Sequence, residues 1–156
     1  MTEDIRALLM AYDSPNPQDW EAPEGFSERE REALLTQVRT LAGRIEALLC
    51  VPVEYDDQYQ DASCVADLYV KTPDDREAII RFSSFGQMAV IFRWAQGARL
   101  PIQSPLEPLL LPLVEQGGFA AIPPEELALP YDGPYGRCAG TFNNTMTWFE
   151  RYFDYL

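Results

Sequence analysis

The chain has 156 residues, 47% hydrophobic and 12% aromatic, a composition that suits one domain with its own core and excludes general disorder. Its 12 basic and 25 acidic residues leave a net charge of −13, a field that repels nucleic acid and anionic lipid and attracts basic proteins. No histidine occurs, which removes the usual general base near neutral pH, the commonest metal ligand and every Ser–His or Cys–His nucleophile pair.

The opening Met1-Thr2-Glu3-Asp4 is acidic where a secretory signal is basic. No apolar run approaches the roughly 20 residues that span a bilayer. A soluble cytoplasmic protein is therefore expected. Ile5, Leu8, Leu9 and Tyr12 recur at helical spacing over residues 3–12, and Asp13-Ser14-Pro15-Asn16-Pro17 breaks that helix. Trp20 and Phe26 are expected to pin the linker to the body. Residues 1–25 are strongly acidic, with Glu3, Asp4, Asp13, Asp19, Glu21 and Glu24 against Arg6 alone.

The clearest element is a helix over Glu28–Leu49. Ser27 with Glu30 makes a capping box, Leu34, Val38, Leu41, Ile45 and Leu48 form its apolar stripe, and Pro52 ends it. Three strands follow. Cys64, Ala66, Leu68 and Val70 alternate with Ser63, Asp67, Tyr69 and Lys71; Ala78, Ile80 and Phe82 alternate with Glu77, Arg81 and Ser83; Met88, Val90, Phe92 and Trp94 alternate with Ala89, Ile91 and Arg93. Such alternation predicts an antiparallel sheet with one face covered, leaving Asp67, Tyr69, Arg81 and Arg93 on an uncovered face. Turn residues lie at Thr72-Pro73-Asp74-Asp75 and Ser84-Phe85-Gly86-Gln87.

Beyond Gly97 the pattern weakens. Leu106, Leu109, Leu110, Leu111, Leu113 and Val114 are expected to be mostly buried, but Pro108 and Pro112 argue against a long helix there. Residues 121–127 read as a short helical turn opened by proline, and Tyr131–Gly136 as a loop. Thr147 and Glu150 repeat the capping-box spacing, with Phe149, Tyr152, Phe153 and Leu156 on one stripe of a C-terminal helix. The expected fold is α+β: an antiparallel sheet of three or more strands, a long helix in the N-terminal half and a C-terminal helix, in a single domain spanning residues 1–156.

Motifs for chemistry are missing. Neither Gly-x-x-x-x-Gly-Lys nor Gly-x-Gly-x-x-Gly occurs, and Lys71 is the only lysine. Cys50, Cys64 and Cys138 are odd in number and spaced for neither zinc nor a disulfide framework, so they read as small buried hydrophobes. Glu54, Asp56, Asp57 and Asp61 lack the glycine and closing glutamate of a calcium loop. A carboxylate-pair hydrolase would need a cleft of which the sequence gives no sign. No catalysis, cofactor or metal is expected. The acidic segment reads instead as a surface: Glu54, Tyr55, Asp56, Asp57, Tyr59 and Asp61 combine carboxylates with tyrosines, a mixture suited to docking a basic partner.

The acidic α+β build, with Tyr131-Asp132-Gly133 and the C-terminal Trp148-Phe149-Glu150-Arg151-Tyr152-Phe153-Asp154-Tyr155-Leu156, resembles the small immunity proteins of bacterial polymorphic toxin systems. The resemblance implies binding to a cognate toxin domain and occlusion of its active site. It carries over no site residue by position. A different class, an adaptor or secretion chaperone that holds an apolar client segment, would use the Leu106–Val114 region instead.

Overall fold

A computed structural model describes every residue except 15, 17, 18, 20, 60–62, 72–76, 96–97, 102–105, 135–145 and 155–156. The described chain is α+β. In order it runs α1 (Glu3–Ala11), α2 (Glu28–Leu49), β1 (Val53–Asp56), β2 (Cys64–Lys71), β3 (Glu77–Ser83), β4 (Met88–Ala95), β5 (Ala98–Leu100), α3 (Glu107–Gln116), β6 (Ala120–Ile122), α4 (Pro124–Leu127) and α5 (Trp148–Phe153). The strands form one six-stranded sheet in the order β1-β2-β3-β4-β5, antiparallel throughout, with β6 added parallel to the first half of β4. Residues 72–76 and Asp61 lie outside the described part, as do Trp20, Cys138 and Leu156.

Helix α2 begins at the expected capping box: the Ser27 hydroxyl accepts from the Glu30 amide while the Glu30 carboxylate accepts from the Ser27 amide at 2.6 Å. It ends on Cys50 in the left-handed conformation (φ 52°), two residues before Pro52. This cap leaves Cys50 exposed rather than buried, whereas Cys64 is buried. Leu34, Leu35, Val38, Leu41 and Ile45 lay the helix on Ala66, Leu68 and Val70 of β2, Ala78, Ile80 and Phe82 of β3, and Ala89 and Ile91 of β4. Phe26 packs at the edge of this core. The β3–β4 turn has positive φ at both Gly86 and Gln87, closed by the Met88 amide on the Phe85 carbonyl at 3.1 Å. That is the primed hairpin geometry that matches strand twist.

The opposite face is covered too, contrary to the one-sided sheet that the alternation suggested. Ile79, Met88, Val90 and Phe92 point into a second core with Leu9 of α1, Leu127 of α4, and Trp148, Phe149, Tyr152 and Phe153 of α5. Asp67 is fully buried there. Polar residues on this face were not a sign of water, because Asp67 and Arg81 are directly opposed across β2 and β3 and neutralise one another. Arg93 alternates with Phe92 and so falls on the α2 side of the sheet.

The prolines of α3 do not prevent a helix of ten residues. Pro108 sits in its first turn, where a missing amide costs no intrahelical bond. Leu110, Leu113 and Val114 turn inward, but Leu109 (51% exposed) and Leu111 (39%) face outward. Residues 120–122 are strand before the proline-led helical turn.

Helix α5 is fastened to the N-terminal segment by a second buried pair. Arg151 Nε donates to Asp13 Oδ1 at 3.0 Å, and both side chains are fully buried. The Tyr131 hydroxyl donates to the other oxygen of Asp13 at 2.5 Å, and the Tyr152 hydroxyl to the Leu9 carbonyl at 2.6 Å. The Arg151 guanidinium lies 4.7 Å from the ring centroids of both Phe85 and Tyr152. A Cβ at Gly133 would collide with Asp13 Oδ2 and the Tyr131 hydroxyl, so a larger residue there would push this bonded pair apart. Arg151→Met should destabilise the fold by about 3–5 kcal/mol in urea titration, because it strands a buried carboxylate. Adding Asp13→Leu should recover most of that loss; a single variant as stable as the parent would show that the pair is not buried in solution.

Candidate docking surface

The acidic segment singled out from the sequence precedes the three strands read there, and its first half is itself a strand. Residues 53–56 are β1, an edge strand of the sheet, paired antiparallel with β2 so that Val53 faces Val70, Glu54 faces Tyr69, Tyr55 faces Leu68 and Asp56 faces Asp67. Charged residues suit an edge that must not pair indiscriminately. Alternation puts Val53 and Tyr55 on the α2 side, where both pack against the first core. Glu54 and Asp56 take the other side. Glu54 is exposed and lies 3.6 Å from Lys71.

Asp56 and Asp57 build the turn that leaves the strand. Asp56 Oδ1 accepts from the Gln58 amide at 3.0 Å. Asp57 accepts from the Gln58 side chain at 2.9 Å and from the Tyr55 hydroxyl at 3.0 Å, while its carbonyl accepts from Arg31 at 3.3 Å. Burial raises the Asp57 carboxyl, but the hydrogen bonds from Gln58 and Tyr55 and the Arg31 charge outweigh it and hold the group below its ordinary range. Burial first, then the hydrogen bond to Asp57 and its charge, push the Tyr55 phenol up to about 12.

Tyr59 turns inward. Its hydroxyl donates to Asp67 Oδ2 at 2.6 Å, and its ring lies 5.5 Å from the Arg81 guanidinium. Arg81 grips the same carboxylate with Nε at 2.9 Å and Nη2 at 2.8 Å, and its Nη1 donates to the Phe153 carbonyl at 3.0 Å. Tyr69 adds a bond to Asp67 at 3.3 Å. Burial lowers Arg81, yet the bidentate Asp67 contact more than offsets it and the guanidinium is held more firmly protonated than usual. Burial, reinforced by Asp67, pushes the Tyr59 phenol well above its ordinary value.

Glu54, Asp56 and Asp57 are thus brought together along one edge, while Tyr55 and Tyr59 anchor that edge to the body. Asp61 lies outside the described residues. Sequence reasoning passed over the anchor itself, although the hairpin register that opposes Lys71 to Glu77 also opposes Asp67 to Arg81.

The other polar groups of the interior are engaged structurally. Ser63, Ser83 and Ser84 are buried and bond to main-chain atoms, including the Ser63, Glu21 and Asp154 carbonyls. Burial pushes the Cys64 thiol up to about 12, which makes it a poor nucleophile at neutral pH. Among the described residues no three acidic, histidine or cysteine side chains converge on a point where a metal ion would fit, and no helix is long and apolar enough to cross a membrane. Comparison with protein-family models, curated proteins and solved structures finds no match for this chain.

The tyrosine anchors give a pH test. Their folded-state phenols titrate above the unfolded value of about 10, so their stabilisation is complete below about pH 10 and is lost as the pH rises beyond it. Phenolate absorbance should show Tyr55 and Tyr59 ionising only late or with unfolding. Tyr59→Phe should cost about 1–2 kcal/mol at neutral pH and flatten the alkaline loss; an unchanged alkaline profile would place Tyr59 in water.

Proposed function

We propose that this chain is a non-catalytic protein-binding domain of the immunity type, which acts in the cytoplasm and neutralises a basic toxin domain by covering its active-site cleft with an acidic surface. The observation that supports it is the division of charge. Arg81, Arg99 and Arg151 are drawn into pairs with Asp67, Glu150 and Asp13. Arg6, Arg31, Arg39 and Lys71 each face a carboxylate at the surface. Glu3, Asp4, Glu21, Glu24, Glu115 and Glu125 are exposed and join no ion pair among the described residues. The outward field is therefore negative, and the β1 edge adds Glu54, Asp56 and Asp57 on a backbone that is already ordered. A cleft shaped for a nucleic acid or another anion offers the matching sign.

A second reading has one observation of its own. Leu109 and Leu111 are exposed on α3, and Leu48 (63% exposed) on α2. An adaptor or secretion chaperone would bind an apolar client there, with little dependence on salt.

The two separate cleanly. Tagged protein incubated at low salt with lysate of the cell that makes it, then eluted with a salt gradient, should release one stoichiometric basic partner. With that partner in hand, Glu54→Lys together with Asp56→Lys should slow association at low salt by about tenfold or more and change dissociation less. Unchanged association would remove the β1 edge from the interface. Salt-insensitive binding that is lost in Leu109→Ser with Leu111→Ser would replace this reading with the chaperone.

A further inference from the structure

We infer that β1 is a docking edge for an extended segment of the partner, which adds to the sheet as a further strand and carries alternating basic and apolar residues. The inference rests on the acidic-surface reading and specifies how that surface is used.

The hydrogen-bond phase of the edge follows from one contact. The Lys71 amide donates to the Pro52 carbonyl at 3.4 Å. With Val53 opposite Val70, the bonded pairs of this ladder are 52 with 71, 54 with 69 and 56 with 67. Val53 and Tyr55 therefore turn their amides and carbonyls away from β2. The Val53 amide confirms the phase, since it is met by Glu46 Oε1 at 3.1 Å from α2. The Tyr55 amide and carbonyl have no partner among the described residues. An added strand would satisfy them, which is the general logic of strand addition at open sheet edges.

The sides of the edge specify the occupant. Side chains of an added strand alternate. One set would lie beside Glu54 and Asp56, the other beside Val53, Tyr55 and α2. The cations nearby are already matched, Lys71 with Glu54, Arg39 with Glu32 and Arg31 with Glu28. Asp56 joins no ion pair among the described residues and calls for lysine or arginine on the first side, while the half-buried Val53 and Tyr55 call for apolar residues on the second. A second copy of the chain is disfavoured, because edge-to-edge pairing would set two such rows of carboxylates together.

The test uses the full-length protein, isotopically labelled for NMR, and a soluble peptide of alternating lysine and valine. The expected result is a shift of the Tyr55 amide resonance and a slowing of its hydrogen exchange by about tenfold or more as the peptide saturates. The same peptide N-methylated at alternate residues keeps its charge and loses donors toward β1; it should bind about tenfold more weakly, the loss of one or two hydrogen bonds. Equal affinity of the two peptides overturns strand addition and leaves charge-driven docking intact. No response at Tyr55 at millimolar peptide, a response confined to other edges, or self-association of the protein through β1 overturns it as well. Addition of the peptide to β1 alongside a salt-insensitive natural partner would keep the docking edge and discard the immunity reading.

Discussion

Two buried arginine–aspartate pairs hold the second half of this fold in place. Arg81 with Asp67 lies between the sheet and α5, and Arg151 with Asp13 between α5 and the segment that follows α1. Burying an ion removes its hydration, and an effective penalty of several kcal/mol per ion is offset only when geometry and hydrogen bonds are complete. Here they are. Asp67 accepts from Arg81, Tyr59 and Tyr69, and Asp13 from Arg151 and Tyr131. Arg81 also meets the Phe153 carbonyl and Ser63 the Asp154 carbonyl, groups that the end of a short helix otherwise leaves unpaired. What the pairs contribute is register more than net stability. A one-residue slip of β2 against β3 would move Asp67 to the opposite face and leave two buried charges alone.

The same pairs leave the charge of the surface unchanged. Each arginine drawn inward takes a carboxylate with it, Arg81 with Asp67 and Arg151 with Asp13, while Arg99 is bound to Glu150 and Asp154 over the ring of Phe149. The interior is therefore neutralised pair by pair, and the excess of 25 acidic over 12 basic residues falls to the exterior. Long-range attraction of a basic molecule follows from that excess.

Much of the fold was legible. Ser27, Glu30 and the Leu34–Ile45 stripe specify α2 locally, and the β3–β4 turn is written in Gly86. What escaped depends on partners distant in sequence. Reading Asp67 and Arg81 as a wet face treated each charge alone, whereas the cross-strand neighbour decides whether a polar position seeks water. The sequence did hold a counter-signal: β4 is apolar on both alternations, with Met88, Val90 and Phe92 on one and Ala89 and Ile91 on the other, as a strand covered on both sides requires. Strands β5 and β6, three residues each, carry no period to detect. In β1 the carboxylates hid the alternation of Val53 and Tyr55. The acidic segment was visible as composition, but the inward turn of Tyr59 was not, since nothing in a run of tyrosines and acids says which ring finds a buried carboxylate.

In the proposed docking, that inward turn is what prepares the acidic edge for recognition. A solvated acidic tail attracts cations as well, but ordering it on contact forfeits conformational freedom, roughly 1–2 kcal/mol per backbone residue. Residues 53–59 are ordered beforehand, by pairing with β2, by the Tyr55–Asp57–Gln58 bonds and by Tyr59 on Asp67. A partner meeting this edge gains the electrostatic attraction without that loss. An ordered open edge is also a hazard, since it invites copies of the chain to pair. The carboxylates that favour a basic partner are the groups that oppose such pairing, and Glu46 already closes the Val53 amide. In the proposed docking, one set of charges both admits a basic strand and excludes a second copy, a dual demand that would account for acidic residues on a strand whose composition otherwise argues against being a strand at all.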